Sequence, residues 1–262
     1  MKILKPKNFV FGGDKDQVQI IIGDATKAGT TVYLYGEIAD DSNDPKKIKS
    51  IDFVQAVNSL TAEIIHLRVN CPGGDIFAAL AMQTALKQHP AKVICHIDGV
   101  AASAATRVML GADEIEISDG GFVMIHNVAS PVEVLGFLTS EDMLELMVNL
   151  EEEIGRIDAA NGSVVDEYVQ RTGQSPEQIK EWMAKTTFFN ANEALAAGFV
   201  DRIYKGGKVL QNKWDFSGYQ NCPEPLKNII KQEQEPKADE IQPKPAVDTS
   251  ALLRRLELEL QY

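Results

Sequence analysis

The feature that most restricts the fold of this chain is an alternation of strand-like and helix-like segments between residues 31 and 126. The strand-like segments are apolar and lie at 31–38, 63–70, 92–99, 113–118 and 122–126. Segments with apolar residues at helical spacing separate most of them and lie at 48–60, 76–88 and 101–111. Strands that alternate with helices usually pair in the same direction, so this order predicts an α/β fold with a largely parallel sheet.

The spacing of apolar residues changes after Ser140. Apolar side chains then recur at intervals of three and four, at Met143, Met147, Leu150, Ile154 and Ile157. This spacing predicts a long amphipathic helix that resumes after the Asn-Gly-Ser at 161–163. Shorter helices are predicted at 175–183 and 190–198, the second closed by Gly198, followed by a last strand at 199–204.

The length of 262 residues favours one main domain with an appendage. The segment 233–248 contains three prolines and many charges, which is typical of a flexible linker. After it, 249–262 carries several leucines on one side and predicts a short amphipathic helix that needs a docking partner. We therefore divide the chain into an N-terminal segment (1–30), a main domain (31–210), a C-terminal extension (211–232), the linker and the terminal helix.

The composition argues against several classes of function. The formal net charge of −12 disfavours binding to nucleic acid or to an anionic membrane. No apolar run reaches the length of a membrane span, and the N-terminus lacks the apolar segment of a secretory signal. The three cysteines contain no Cys-x-x-Cys pair, which favours free buried thiols and a cytoplasmic protein.

No metal or organic cofactor is expected. The residues that could be combined into a metal site have a spacing that fits no usual ligand pattern; they are His66, Cys71, Cys95 and His96. The turn Asn-Cys-Pro-Gly-Gly-Asp at 70–75 also lacks the continuation of a dinucleotide or phosphate motif.

A serine surrounded by small residues, in Gly-Val-Ala-Ala-Ser-Ala-Ala-Thr-Arg at 99–107, stands where a predicted strand passes into a helix. One interpretation is a capping serine among packing residues. The other is that Ser103 is a nucleophile, with the N–H of Ala104 as a donor to an oxyanion. The Gly-x-Ser-x-Gly motif of α/β-hydrolases is absent.

Two further residues end strands of the same predicted sheet. Gly74 follows Gly73 in a sharp turn, and its N–H is either part of a plain turn or a second oxyanion donor. His126 ends the strand 122–126 and is either a core histidine or a general base. Strand ends at one edge of an α/β sheet are where sites are commonly built, which favours the catalytic interpretation.

Taken together, these motifs resemble those of the Clp-type serine peptidases. The resemblance extends over 31–204. It includes Arg-Thr-Gly-Gln-Ser-Pro-Glu-Gln-Ile at 171–179 and the closing segment at 188–203, which begins Phe-Phe-Asn-Ala-Asn-Glu-Ala. It implies a ClpP/crotonase-like fold with a protruding handle helix at 140–172 that interdigitates between stacked homo-oligomeric rings. The site that it implies has Ser103 as nucleophile, His126 as base, and the N–H groups of Gly74 and Ala104 as oxyanion hole.

The position of the family's orienting acid is occupied by Thr186. Loss of the orienting carboxylate is severe in serine proteases, because it holds the histidine tautomer and stabilises the imidazolium. Four alternatives remain open at this point. The hydroxyl of Thr186 accepts from the imidazole, an acid comes from elsewhere, the enzyme works as a dyad, or Lys185 serves as the base.

The ends of the chain also differ from the housekeeping Clp peptidase, since almost sixty residues follow Tyr204. The long tail resembles the head-maturation (prohead) proteases of tailed phages, which cleave capsid and scaffold proteins inside an assembling shell. This resemblance implies a serine endopeptidase in the cytoplasm of a bacterial host. The alternatives are an ATPase-coupled degradative Clp subunit that works with an AAA+ partner, an inactive scaffold protein, and a crotonase-type acyl-CoA enzyme.

Overall fold

The structure is a computed structural model, and it describes residues 28–44, 47–131, 137–205, 214 and 216–227, with two short strands at 10–11 and 20–21. Its contacts divide the chain into one unit at 1–229 and another at 230–262. The predicted linker and terminal helix fall in the second unit, which lies outside the described residues.

The described part contains eleven strands and seven helices. The strands are β1 (Val10–Phe11), β2 (Ile20–Ile21), β3 (Thr30–Leu34), β4 (Glu37–Ile38), β5 (Lys47–Ile48), β6 (Ile64–Cys71), β7 (Lys92–Ala102), β8 (Glu114–Ser118), β9 (Phe122–Ile125), β10 (Thr187–Asn190) and β11 (Arg202–Tyr204). The helices are α1 (Ser50–Asn58), α2 (Ile76–Gln88), α3 (Ala104–Met109), α4 (Ser140–Thr172), α5 (Pro176–Ala184), α6 (Ala191–Ala197) and α7 (Glu224–Lys227).

A seven-stranded sheet forms the centre of the described part, and it branches along β7. The first half of β7 pairs with β8, and its last residues, Val100–Ala102, pair with β9. On its other edge β7 pairs with β6, which pairs with β3. All of these pairs are parallel, as the sequence predicts, whereas β10 joins β9 in the antiparallel direction. The branch carries β9, and with it residue 126, alongside the end of β7.

The main core lies between this sheet and the helices. Apolar residues of β3, β6 and β7 alternate along each strand, so that one set of side chains meets α1, α2 and α3. The largest fully buried side chains in this core are Phe53, Phe199, Leu34, Ile38, Ile65, Leu67, Met82, Leu86, Ile97, Met109 and Ile115. The three cysteines are buried and form no disulfide bond, as the sequence predicts.

The long helix α4 is continuous over 33 residues, and the predicted interruption at 161–163 is wrong. The side chains of that segment make tertiary hydrogen bonds: Asn161 Oδ1 accepts from the N–H of Val128, and Ser163 Oγ accepts from Arg107. These bonds and a capping box between Thr139 and Asp142 compensate for the weak helix propensity of the segment. No helix among the described residues is long and apolar enough to cross a membrane.

Only the C-terminal part of α4 enters the core, through Val164, Val165 and Tyr168. The preceding turns leave apolar side chains in water, and more than half of each is exposed; they are Met143, Leu144, Met147, Val148 and Ile154. Solvated apolar side chains at this spacing are typical of a helix that packs against another protein surface.

The C-terminal extension forms a second, smaller core on the sheet. Phe216, Cys222 and Leu226 are buried against Val100, Ala102 and Met124 of β7 and β9. The sequence assigns 211–232 only as an extension, without a predicted structure. Its packing brings it beside the strand ends on which Ser103 and His126 lie.

Candidate active site

Ser103 lies at the junction between β7 and α3, in a backbone conformation that L-residues seldom adopt. Its φ is 53° and its ψ is −126°. The N–H of Ser103 donates to Met124 O over 2.8 Å, which ties the junction to β9. Its carbonyl oxygen accepts from the N–H of Thr106 over 2.9 Å and from Thr106 Oγ1 over 2.5 Å. The surrounding hydrogen bonds therefore hold a strained serine in one position.

The sheet brings His126 to this serine. Ala102 pairs with Met124 in register, so the residues that follow each strand end are neighbours. His126 Nε2 lies 2.6 Å from Ser103 Oγ, which is hydrogen-bond distance for a nucleophile and its base. The two residues that the sequence singled out are thus in direct contact.

The imidazole of His126 is mostly buried, and this burial lowers its pKa below the usual value for histidine. Within the described part of the chain, burial is the cause of the shift, and no charged group adds to it. The ring is therefore neutral at neutral pH, and its Nε2 lone pair is available to accept a proton from Ser103.

The turn at Gly73 and Gly74 requires glycine at both positions. Their φ angles are 99° and 133°, in the left-handed region. A Cβ on Gly74 would lie 2.0 Å from Ile38 O, and a Cβ on Gly73 would lie 2.8 Å from the Cβ of Ser103. The turn thus packs its backbone directly against the serine junction.

The N–H groups of Gly74 and Ala104 both border the same space. Ala104 is the first residue of α3, so its N–H has no acceptor within the helix. In the glycine turn, the N–H of Ile38 donates to Gly73 O, and the N–H of Asp75 donates to Ile38 O. Within the described parts of the chain, neither Gly74 N nor Ala104 N donates to another residue. Two such donors beside a serine–histidine pair are the arrangement that stabilises an oxyanion.

This space is a cavity of about 600 Å³ lined by Gly74, Ser103, Ala104 and His126. The rest of its wall is mixed. Its apolar and aromatic part includes Ile38, Ile76, Phe77, Val128, Ile157, Val164, Tyr168 and Tyr219. Its charged part is Glu37, Asp41, Lys47, Asp75, Glu153 and Arg156. A cavity of this size accommodates several residues of an extended peptide.

Two hydroxyl groups, those of Thr106 and Tyr168, form a hydrogen-bonded chain to the carbonyl oxygen of Ser103. Tyr168 and Thr106 are both buried, and their hydroxyl oxygens lie 2.5 Å apart. Since Thr106 donates its proton to Ser103 O, Tyr168 is the donor to Thr106. Beside them, buried Arg107 on α3 is paired with Glu167 on α4 over 2.7 Å. These contacts couple the helix that begins at Ser103 to the long helix.

Thr186 lies close to the histidine in the pairing scheme but is not bonded to it. Thr187 pairs with Ile125, so the register places residue 186 next to residue 126. Thr186 has a φ of 51° and leaves the strand geometry there. Among the residues that the structure describes, the imidazole of His126 makes a single hydrogen bond, which is the one to Ser103. The predicted hydrogen bond from the imidazole to the Thr186 hydroxyl is therefore not seen among the described residues.

Lys185 is not placed as a base. Its Nζ is ion-paired with Glu181 over 2.5 Å, and 65% of its side chain is exposed. A lysine base must be desolvated to lose its proton near neutral pH, and Lys185 does not line the cavity.

A model of the Clp protease family matches residues 15–207, almost three quarters of the chain. The chain belongs to the Clp protease family. It is therefore a serine-type peptidase, and the motifs on which the sequence prediction rested are those of its own family.

Curated relatives agree with this assignment. The chain is 26% identical over 209 residues to the ATP-dependent Clp protease proteolytic subunit of Drimys granadensis, covering 78% of this chain and 94% of the relative. It is 32% identical over 145 residues to the subunit of Morus indica, covering 53% and 67%. Subunit 1 of Chlamydia trachomatis is 24% identical over 172 residues, covering 65% and 84%.

Among solved structures, a ClpP1 mutant from Listeria monocytogenes superposes with a TM-score of 0.55. The match covers 67% of this chain and 91% of the other at 23% identity, and it shows the fold. The predicted α/β ClpP-like fold is thereby confirmed for this Clp-family chain.

Tyr219 is the residue at the site that the sequence did not indicate. It lies beyond the family match, in the extension, and lines the cavity beside His126. No motif includes Tyr219, and no regular spacing of apolar residues marks it. The segment around it has no helix or strand, so its buried side chains follow no repeating pattern. Tyr168 was also not singled out. The sequence marks it only as a residue on the apolar face of the predicted helix α4.

Proposed function

We propose that this protein is an endopeptidase in which Ser103 is the nucleophile, His126 the general base, and Gly74 and Ala104 the oxyanion hole. The observation that carries the proposal is the 2.6 Å contact between His126 Nε2 and Ser103 Oγ, beside two backbone donors that have no described partner. Burial keeps the histidine neutral, which is the form that a base needs.

The reaction proceeds through an acyl-enzyme. Ser103 Oγ attacks the peptide carbonyl carbon as its proton passes to His126 Nε2, and the oxyanion accepts hydrogen bonds from Gly74 and Ala104. The tetrahedral intermediate collapses, the C–N bond breaks, and His126 gives its proton to the leaving amine. Water then attacks the ester and gives a proton to His126, which returns it to Ser103 as the acid product leaves.

In this mechanism the serine and histidine act as a dyad. Thr186, at the position of the family's acid, carries no negative charge, and within the described residues it makes no hydrogen bond to the imidazole. The imidazolium that forms during the reaction is therefore not neutralised by a carboxylate, and we expect a lower turnover than a full triad gives. No metal or organic cofactor enters any step.

Labelling with a fluorophosphonate tests the pair directly, since only an activated serine reacts. We expect one adduct, located on Ser103 by peptide mass spectrometry, and its loss in His126→Ala. A Thr186→Val variant, which keeps the shape of Thr186 without its hydroxyl, is expected to label like the parent. The absence of an adduct in folded, assembled protein would contradict the proposal and favour the inactive scaffold alternative.

The relevant assembly in this proposal is a ring-shaped homo-oligomer that encloses the cavities, with rings stacked through 140–172. The exposed apolar side chains of α4 support this, because they need a protein surface to cover them. The relatives are named proteolytic subunits, which fits a protein that works as part of an assembly. A chamber of this kind restricts the site to substrates that are enclosed with it or delivered into it.

For the biological role we propose head maturation in a tailed phage or prophage, in the cytoplasm of a bacterial host, with capsid and scaffold proteins as substrates. The support is the part of the chain after the family match: a linker rich in proline and charge, and a leucine-rich end that needs a docking partner. The second candidate is an ATPase-coupled degradative subunit, which the names of the curated relatives favour.

The two roles differ in their need for an ATPase. For head maturation we expect the full-length assembled protein to cleave unfolded casein with no ATPase and no nucleotide, with His126→Ala as the inactive control. Casein that stays intact, while the same preparation hydrolyses a short peptide, would instead indicate a substrate-delivery partner and support the degradative role.

A further inference from the structure

The chain places an aromatic residue from outside the family match against its histidine. Tyr219 belongs to the extension, whereas the family model ends at residue 207. Phe216, Cys222 and Leu226 anchor the extension by burial on β7 and β9. These are the strands that end at Ser103 and His126, so the extension is fixed to the same framework as the reacting groups.

The contact with the imidazole has a defined geometry. The ring centroids of Tyr219 and His126 lie 5.4 Å apart, with an angle of 75° between the ring planes. This is an edge-to-face arrangement, which is favourable between aromatic rings. Tyr219 in turn packs against Phe216, with centroids 6.1 Å apart, and its N–H donates to Phe216 O over 3.0 Å. The tyrosine ring therefore has little freedom to move away.

A second anchor joins the extension to the turn between α5 and β10, which contains the position of the family's acid. Asn221 adopts a φ of 60° and donates from Nδ2 to the carbonyl oxygen of Lys185 over 2.7 Å. This carbonyl directly precedes Thr186, the residue at the acid position. The extension thus contacts the backbone beside the acid position as well as the histidine.

The histidine needs an orienting contact of some kind. Its χ2 rotation is intrinsically broad, and the bond to Ser103 alone does not hold the ring plane. No charged group contributes to the pKa of His126. The charged groups on the cavity wall are engaged elsewhere: Glu37 with Lys47, Asp75 with the start of α2, and Glu153 with Arg156, while Asp41 lies exposed at the rim.

We propose that Tyr219 is a positioning residue that holds the imidazole of His126 in its reactive orientation by edge-to-face packing and keeps water from its exposed edge. In the full triad a carboxylate orients the histidine through a hydrogen bond, and here the packing of Tyr219 orients it instead. This inference rests on the proposed roles of Ser103 and His126. Burial raises the pKa of the Tyr219 phenol, so it does not serve as a base at neutral pH.

The test compares three variants of full-length protein by the rate of fluorophosphonate labelling from about pH 5 to pH 8. Tyr219→Phe keeps the ring and is expected to match the parent. Tyr219→Ala is expected to label about tenfold more slowly at its plateau, because the base is less well oriented. Its apparent pKa should also rise towards about 6.5, because the imidazole becomes solvated. Tyr219→Leu keeps apolar bulk beside Phe216 but has no ring, so it should label as slowly as Tyr219→Ala while its apparent pKa stays closer to that of the parent.

The outcomes separate this inference from the proposed function. If the parent protein is not labelled on Ser103, the proposed function fails. If the parent is labelled and Tyr219→Ala and Tyr219→Leu match it in rate, the positioning role alone is overturned. If Tyr219→Phe is as slow as Tyr219→Ala, the hydroxyl and not ring packing matters, and the inference is likewise wrong.

Discussion

Ser103→Ala is expected to lower the rate of peptide hydrolysis by about 10⁴-fold or more, an effect that only loss of His126 should equal. The change removes the oxygen that attacks the substrate while leaving the Met124 and Thr106 contacts of the backbone in place. The measurement is kcat/KM on a fluorogenic peptide, with circular dichroism and gel filtration to confirm fold and assembly.

Ser59→Ala is the matched control for this experiment. Ser59 follows α1, is exposed, and hydrogen-bonds only locally, to the carbonyl oxygen of Ala56. Its variant should retain full activity. A Ser103→Ala protein that kept about 1% of the parent rate or more would show that another group is the nucleophile.

Gly74→Ala is expected to reduce kcat/KM by about 10³-fold, because it displaces one oxyanion donor. An alanine Cβ would lie 2.0 Å from the carbonyl oxygen of Ile38, which is backbone and cannot move aside. The φ of 133° is also unfavourable for any residue with a Cβ. The backbone must shift, and the N–H of Gly74 shifts with it. We expect a lower free energy of unfolding as well, measured by urea denaturation.

Gly155→Ala makes the same chemical change where there is room for it. A Cβ at Gly155 meets no atom within 4 Å, and the residue lies inside α4. The variant should keep full activity and gain about 1 kcal/mol of stability from the better helix propensity of alanine. Equal activity of Gly74→Ala and the parent would argue against an oxyanion role for Gly74.

Much of the site was predictable because its residues follow strand ends. The strands that precede Ser103, Gly74 and His126 have clear apolar patterns, and parallel pairing brings their ends to one edge of the sheet. The backbone packs closely around Ser103 and the glycine pair, and this close packing needs small residues, which can be recognised in the sequence.

Other features depended on tertiary contacts that local patterns do not encode. The continuity of α4 relies on side chains at Asn161 and Ser163 that bond to distant residues, whereas their local propensity favours a break. Strand β10 is only four residues long, and its antiparallel pairing with β9 is set by the fold around it. The missing bond between Thr186 and His126 depends on a backbone angle at Thr186 that its residue type does not suggest.

Because the extension packs on the sheet, the region that matches the family and the region that folds as one domain end at different residues. A fragment cut at residue 207 would retain Gly74, Ser103, Ala104 and His126 and would still match the family model. It would nevertheless expose Val100, Ala102 and Met124, which are fully buried beneath Phe216 and its neighbours. Residues beyond the family match are thus part of the interior of this domain. Excision of such a domain for expression, or its grafting into another protein, has to follow the buried surface to residue 227 instead of the limit of homology.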